Sequence, residues 1–535
     1  MAIARITAAE DSAIVATLHP ALERIDGGRI LQHAKALASD DFEGRAPGTR
    51  GERLALAYIV REFQRAGLEP GVSAGNYLQE VPLVGFRAVP RLALTVGGKA
   101  LELAYPSDFV HVAVRLAPRV NVAATGIVFA GHGIVAPEYG WDDYGDVDVT
   151  DKLVIVLSGE PEPAGPSSFR GGTRTYYSTR ENKYETARRR GAAGILVVTD
   201  AEKSETFATF RTFAELGAQS LPPPPGERSL AIAGLLTAKA MHRLCGAAGV
   251  VFAELEQAAG TPGFRARPLG SAARIDIDSK LRSFTSANVV ARLTGSDPAL
   301  SNEAVVFTAH WDHLGRNPAL TGDQIYNGAN DNAAGVAQLL EIARGLVALE
   351  ARPKRSILFV ATTGEESGFL GAKHYAAHPL VPLDRTVAAF NLDAANTFGL
   401  TRDLISAGYG NSTLDEVLAE AARLQGRKFV AESLDGDGSY YFASDQIAFA
   451  LAGVPAAFPW SGFDYVGKAP DFGEKAWRDY GEHRYHQVSD IVLPDWNMAG
   501  AVEDARWLVI AAYLTAQASG RPAWKPGVEF KRPQP

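Results

Sequence analysis

Five short segments of this chain set metal-ligating side chains at the ends of apolar runs. In the first, FTAHWDH (307–313), His310 and Asp312 alternate along a strand end, so their side chains leave from one face. An imidazole on a metal usually donates its second N–H to a carboxylate or carbonyl, a role that Asp312 suits. The second, GANDNAAG (328–335), carries Asp331 just ahead of a helix with the apolar stripe Val336, Leu339, Leu340, Ala343 and Val347. An Asp or Asn here ordinarily caps the helix. A carboxylate shared by two cations also fits that positively polarised end. In the third, a strand over 357–361 runs into TTGEESG, where Glu365 and Glu366 are adjacent. Two buried ionised carboxylates repel each other unless a cation lies nearby. One can then ligate while the other takes a proton from water. The fourth segment ends the run 387–390 in Asn391-Leu392-Asp393, and the fifth, YHQVSD (485–490), adds His486. Two histidines and three carboxylates, His310, Asp331, Glu366, Asp393 and His486, make the donor set of a two-metal centre with a bridging carboxylate. His313 lies close by, but the set is complete without it.

These residues need elements that bring them together. From residue 286 onward strands and helices alternate, which predicts a mixed, mainly parallel central sheet flanked by helices on both faces. Sites in such sheets form at the carboxyl ends of the strands, where the candidate ligands sit. Residues 29–69 read as two amphipathic helices around the turn SDDFEGRAPGTRGE. One presents Ile30, Leu31, Ala34 and Leu37, the other Leu54, Ala57, Tyr58, Val60 and Phe63. Between 88 and 285 the texture changes to short β-rich runs with a helix over 184–190, a strand over 195–198 and a stiff tetraproline at 222–225. Asp142, Asp143, Asp146, Asp148 and Asp151 crowd one loop there without EF-hand spacing, and read as a solvated loop. The expected organisation is one domain formed by 1–87 and 286–535, interrupted by an inserted β-rich domain at 88–285.

Composition narrows the function classes. With 535 residues, 46% of them hydrophobic, the chain can bury more than one core, and a net charge of −8 gives no attraction to nucleic acid or anionic membranes. The single Cys245 excludes a zinc site built on several thiolates and an internal disulfide. No run is long and apolar enough to span a membrane. A trimmed signal peptide would make the protein periplasmic or secreted; otherwise it is cytoplasmic. Gly71-Val72-Ser73-Ala74-Gly75 matches G-x-S-x-G formally, but that motif needs a strand before it and a helix after it. Here the order is helix, loop, strand, and Ser73 reads as a surface turn.

HWDH, GANDNAAG, TTGEESG, NLD and YHQVSD, in that order, resemble the zinc-dependent exopeptidase family of bacterial leucyl aminopeptidases and glutamate carboxypeptidase II. ASDDFEGRAPGTRGERLALAYIVREFQRAGL looks like the family's N-terminal helical segment. GHGIVAPEYGWDDYGDVDVTDKLVIV and RRRGAAGILVV are similar to its inserted protease-associated (PA) domain. The resemblance implies two Zn2+ ions, one on His310 and Asp393, the other on Glu366 and His486, bridged by Asp331. It also implies Glu365 as general base, Asp312 orienting His310, and a cis peptide after Asp331. The implied activity is hydrolysis of a peptide or small aminoacyl substrate, most simply by an aminopeptidase. A carboxypeptidase, a glutaminyl-cyclase-like acyl transferase with one zinc and a non-catalytic receptor on the same scaffold are the alternatives. In FASDQIAFALAGVP (442–455), Gln446 stands where many relatives carry histidine, which bears on substrate contacts rather than on the metals.

Overall fold

The computed structural model describes residues 8–161, 169–200, 205–431 and 439–532. The chain forms two compact units, Met1–Val81 with Thr285–Pro535, and Pro82–Phe284. The expected boundaries, 87/88 and 285/286, lie close to these, and the strands Leu78–Val96 and Ala272–Leu293 each run through a boundary.

The first unit is a mixed α/β layer structure. Its strands Ala304–His310, Ser356–Thr362 and Thr386–Asn391 are buried at every residue, the pattern of strands covered on both faces. Ala304–His310 pairs in parallel with both of the others, and Thr386–Asn391 pairs in parallel with Ala456–Ser461. Residues 289–293 add antiparallel to Ser356–Thr362, and Asp403–Ala407 adds antiparallel to Ala456–Ser461. Alternate side chains Val305, Phe307, Ala309, Ile357, Phe359 and Ala361 enter one core. There they meet the helices Ala8–Arg24, Gly27–Leu37, Arg50–Ala66, Gly335–Val347 and Ala499–Gln517. Phe307 stacks on Phe359 with centroids 5.8 Å apart and lies 5.5 Å from Phe390, which locks neighbouring strands together.

The helix Arg50–Ala66 buries Ala55, Ile59 and Phe63 with Glu52 and Glu62. Of the five residues expected on its inner face only Phe63 is fully buried, and Ala57 is exposed. The helix is turned because Glu52 is drawn inward to the Ser286 hydroxyl, 2.6 Å away. Capping fixes its ends: Thr49 accepts from the Glu52 N–H, and Gly67 closes it in a left-handed conformation.

The second unit has a six-stranded sheet in the order Arg267–Gly270, Ile127–Phe129, Leu153–Leu157, Gly194–Thr199, Ile232–Thr237, Phe109–Val114. Its four inner strands are parallel and its two edges antiparallel. It is less purely β than expected, since the helices Arg180–Arg189, Glu205–Leu216, Ala238–Ala248 and Phe252–Ala259 belong to it. The acidic loop is also less solvated than expected. Asp143 is buried and accepts from the Ile134 N–H and the Trp141 indole, and Asp142 pairs with Arg190. Cys245 is buried as a free thiol. Ser73, in the first unit, is exposed and opens a single 3-10 turn followed by a strand, so no nucleophile elbow forms. Among the described residues no helix is long and apolar enough to cross a membrane.

Candidate metal centre

Parallel pairing makes the central strands end together. His310 lies opposite Thr362, and Thr308 opposite Asn391, so the chain leaves the sheet at one edge through 310–313, 363–366 and 392–394. The loop holding Asp331 and the segment holding His486 meet the same edge. The six residues His310, Asp331, Glu365, Glu366, Asp393 and His486 converge there.

Asp331 lies at the middle of the group. Its Oδ1 is 3.2 Å from His310 Nε2, and its Oδ2 is 3.3 Å from His486 Nε2. His310 Nε2 is also 3.1 Å from Asp393 Oδ1, while His486 Nε2 is 3.0 Å from Glu366 Oε2. The carboxylate therefore turns one oxygen to a His310–Asp393 pair and the other to a Glu366–His486 pair. The Glu365 carboxylate stands back from these contacts, with Oε2 4.0 Å from His310 Nε2.

Surrounding groups fix each side chain. His310 Nδ1 lies 3.1 Å from the Asp312 carbonyl, which sets the ring to present Nε2 to the cluster. The Asp312 carboxylate is 3.9 Å from the same nitrogen and accepts instead from the Glu365 N–H at 3.1 Å. The orientation of His310 thus comes from the main chain of Asp312, and its carboxylate positions Glu365. His313, set aside as a neighbour from the sequence, is buried and places Nδ1 2.5 Å from Glu366 Oε1. On Asp393, Oδ2 accepts from the Ser444 hydroxyl at 2.7 Å and the carbonyl accepts from the Trp460 indole at 2.9 Å. Tyr485 stacks on the His486 ring with centroids 3.9 Å apart.

The loop around Asp331 is held just as closely. Gly328 is left-handed, φ +56°, and packs so tightly that a Cβ would collide with the Asp331 carbonyl and the His313 ring. The Asp331–Asn332 peptide is cis. The Asn332 side-chain oxygen accepts from the N–H groups of Gly335 and Ala394, both at 3.0 Å, so the capping role falls to Asn332. Asp490 accepts from the N–H groups of Asn330 and Asp331 at 3.1 Å and from the Tyr480 hydroxyl at 3.2 Å. Nothing in the sequence singled out Asp490, because its partners are backbone amides 159 and 160 residues away. Gln446 is fully buried: it accepts from Asn391 and donates to the Tyr441 carbonyl.

The electrostatics are those of a crowded anionic site. Burial, reinforced by Asp393, Glu366 and Asp445, pushes the Glu365 carboxyl well above the usual range. Burial likewise raises Asp312 to about 7 and Asp445 to about 6. Burial and Asp331 also push Glu366 upward, but His486 and His313 outweigh them and hold it at about 2. Burial opposes protonation of His486, yet Glu366 and Asp331 raise it to about 10. Carboxylates packed this closely call for cations. Ligand atoms of His310, Asp331 and Glu366 lie within 4.8 Å of one another, as do those of His310, Glu365 and Asp393. An all-nitrogen-and-oxygen set, with the two oxygens of Asp331 turned to different histidines, fits divalent metal.

The model of Peptidase family M28 matches residues 288–510. The "Probable leucine aminopeptidase 2" of Aspergillus fumigatus is 23% identical over 457 residues, which is 82% of this chain and 73% of that protein. The "Aminopeptidase YwaD" of Bacillus subtilis is 32% identical over 199 residues, 36% of this chain and 40% of its own length. Among solved structures, the "Aminopeptidase from Aneurinibacillus sp. strain AM-1" superposes with a TM-score of 0.51 at 20% identity. That superposition covers 97% of this chain and 100% of the other, so the fold is shared.

Proposed function

We propose that this chain, whose residues 288–510 match the model of Peptidase family M28, is a zinc-dependent aminopeptidase that uses two zinc ions. The reading rests on one observation above all: the two oxygens of Asp331 face two separate histidine–carboxylate pairs. His310 and Asp393 would hold one ion, Glu366 and His486 the other, with Asp331 between them. When bound, such ions supply Lewis acidity, polarising a carbonyl and lowering the pKa of water.

The chain's own groups do the rest. Glu365, held through its N–H by Asp312, takes a proton from the water that attacks the scissile carbonyl carbon. As the carbon–nitrogen bond breaks, Glu365 returns that proton to the leaving amine. A buried carboxyl whose proton affinity is raised is suited to hold the proton between these steps. The unit Pro82–Phe284 we assign as the PA-type insertion.

The buried arginine at the cluster offers no partner to a C-terminal carboxylate. Arg45, beneath the cluster, directs donors from Nε, Nη1 and Nη2 to main-chain carbonyls rather than to a substrate acid. The relatives named as aminopeptidases support the same choice.

The test is a substrate panel with and without a zinc chelator. Leucyl and other aminoacyl anilides should be cleaved, N-acetylated ones should not, and chelation should stop turnover until zinc is restored. Cleavage of N-blocked peptides bearing a free carboxylate would make the protein a carboxypeptidase. Cyclisation of N-terminal glutamine with one zinc would make it an acyl transferase, and two bound zincs without turnover a receptor.

A further inference from the structure

The turn before the helix Arg50–Ala66 does more than reverse the chain. Glu43, Gly44 and Arg45 are consecutively left-handed, with φ of 50°, 67° and 53°. At Gly44 a Cβ would lie 2.5 Å from the carbonyl oxygens of both Gly315 and Tyr326, so glycine alone allows this approach. The turn delivers Arg45 into the interior, where it is 1% exposed.

There the guanidinium is used from every side. Nε donates to the Trp311 carbonyl at 2.8 Å, Nη1 to Leu37 at 2.7 Å and Asn327 at 2.6 Å, and Nη2 to Gly328 at 2.9 Å. Trp311 directly follows His310, and Asn327-Gly328 lead into Asp331. One rigid side chain therefore joins the segment ending in His310 to the segment opening on Asp331. Four carbonyls take four of the fork's five N–H groups; an ammonium has three N–H groups and cannot serve all four. The carboxylates Asp331, Asp312, Asp490 and Glu366 favour its charge and offset part of the cost of burying the cation.

We propose that Arg45 is a positioning residue of the metal centre, fixing the spacing between His310 and Asp331 from a left-handed turn that lies outside the sheet. The proposal rests on the two-zinc reading above. It gives the GRAPG segment a role in metal binding although none of its residues is a ligand.

The test compares zinc affinity, by competition with a chelator of known strength, in wild type, Arg45→Lys and Arg355→Lys. Arg355 is an equally buried arginine that serves Glu303 and the carbonyls of Thr515 and Ala518, away from the site. It reports what losing a buried guanidinium does to stability alone. Arg45→Lys should weaken zinc retention about 10- to 100-fold, as outer-sphere changes do, while Arg355→Lys lowers thermal stability and leaves zinc affinity unchanged. Unchanged affinity in Arg45→Lys, or equal losses in both variants, would overturn the proposal. Should Arg45→Lys not fold, Gly44→Ala displaces the same turn while keeping the guanidinium and carries the same expectation and the same refutation. A wild type that takes up no zinc would instead remove the two-zinc reading.

Discussion

Replacing Glu365 by glutamine isolates the proton transfer from everything else at the site. The side chain keeps its shape, and its backbone N–H still donates to Asp312 at 3.1 Å. The Glu365 carboxylate stands 4.0 Å from His310 Nε2, farther than the 3.0–3.3 Å contacts that join His310, Asp331, Asp393, Glu366 and His486, so the proposed ligands stay in place. What disappears is the only property the mechanism asks of it, the capacity to accept a proton. General-base catalysis contributes ~10²–10⁴-fold, so kcat should fall by that factor, a rise of about 3–5 kcal/mol in the barrier. KM should change little, because the lost interaction belongs to the transition state. The assay is hydrolysis of a leucyl anilide, with zinc content measured on the same sample. A Glu365→Gln variant that holds its zinc and turns over at the wild-type rate would refute the assignment. A variant that loses zinc would make Glu365 a ligand.

Three further outcomes follow from the geometry. Asp490→Asn leaves one acceptor oxygen for the amides of Asn330 and Asp331 and for Tyr480, and should weaken zinc binding about 10- to 100-fold in chelator competition; unchanged affinity would show that the loop holds itself. Because His486 is raised to about 10 and His310 well above its usual value, both are protonated near neutrality without metal. Zinc uptake should then release on the order of two protons and tighten as pH rises, read by calorimetry in buffers of different ionisation heat; no net release would contradict the pairing. In the second unit, burial lowers His111 to about 4. Below pH 6.5 the unfolded chain takes up a proton that the buried ring refuses, so stability falls as pH drops from 6.5 toward 4, by at most about 3 kcal/mol. His111→Phe should flatten the fall in urea midpoint between pH 7 and pH 5, and an unaltered slope would place the acid sensitivity elsewhere.

The strands that carry the site are legible because parallel strands covered on both faces leave uninterrupted apolar runs. The run 304–310 ends on His310, and 356–362 and 386–391 are followed within three residues by Glu365 and Asp393. The candidate ligands are readable for the same reason, since the chemistry begins where the hydrophobic pattern ends. Groups that act on the backbone are invisible to this kind of reading. Asp490 and Arg45 bind amides and carbonyls of distant loops, and no spacing in the sequence encodes such a partner. Asp312 illustrates the mixed case: its position beside His310 is readable, whereas the division between its carbonyl, on His310, and its carboxylate, on Glu365, is settled only by the turn of the chain. The helix Arg50–Ala66 misleads a periodicity reading because Glu52 and Glu62 occupy its inner face and push Leu54 and Tyr58 to the border.

The central claim is that Asp331 is shared by two metal ions. Crystals of the zinc-loaded protein, measured at the zinc absorption edge, test it most directly. Two anomalous peaks are predicted, one against His310 and Asp393, the other against Glu366 and His486, each touching one oxygen of Asp331. A single peak, or two that leave Asp331 without a metal contact, would contradict the account.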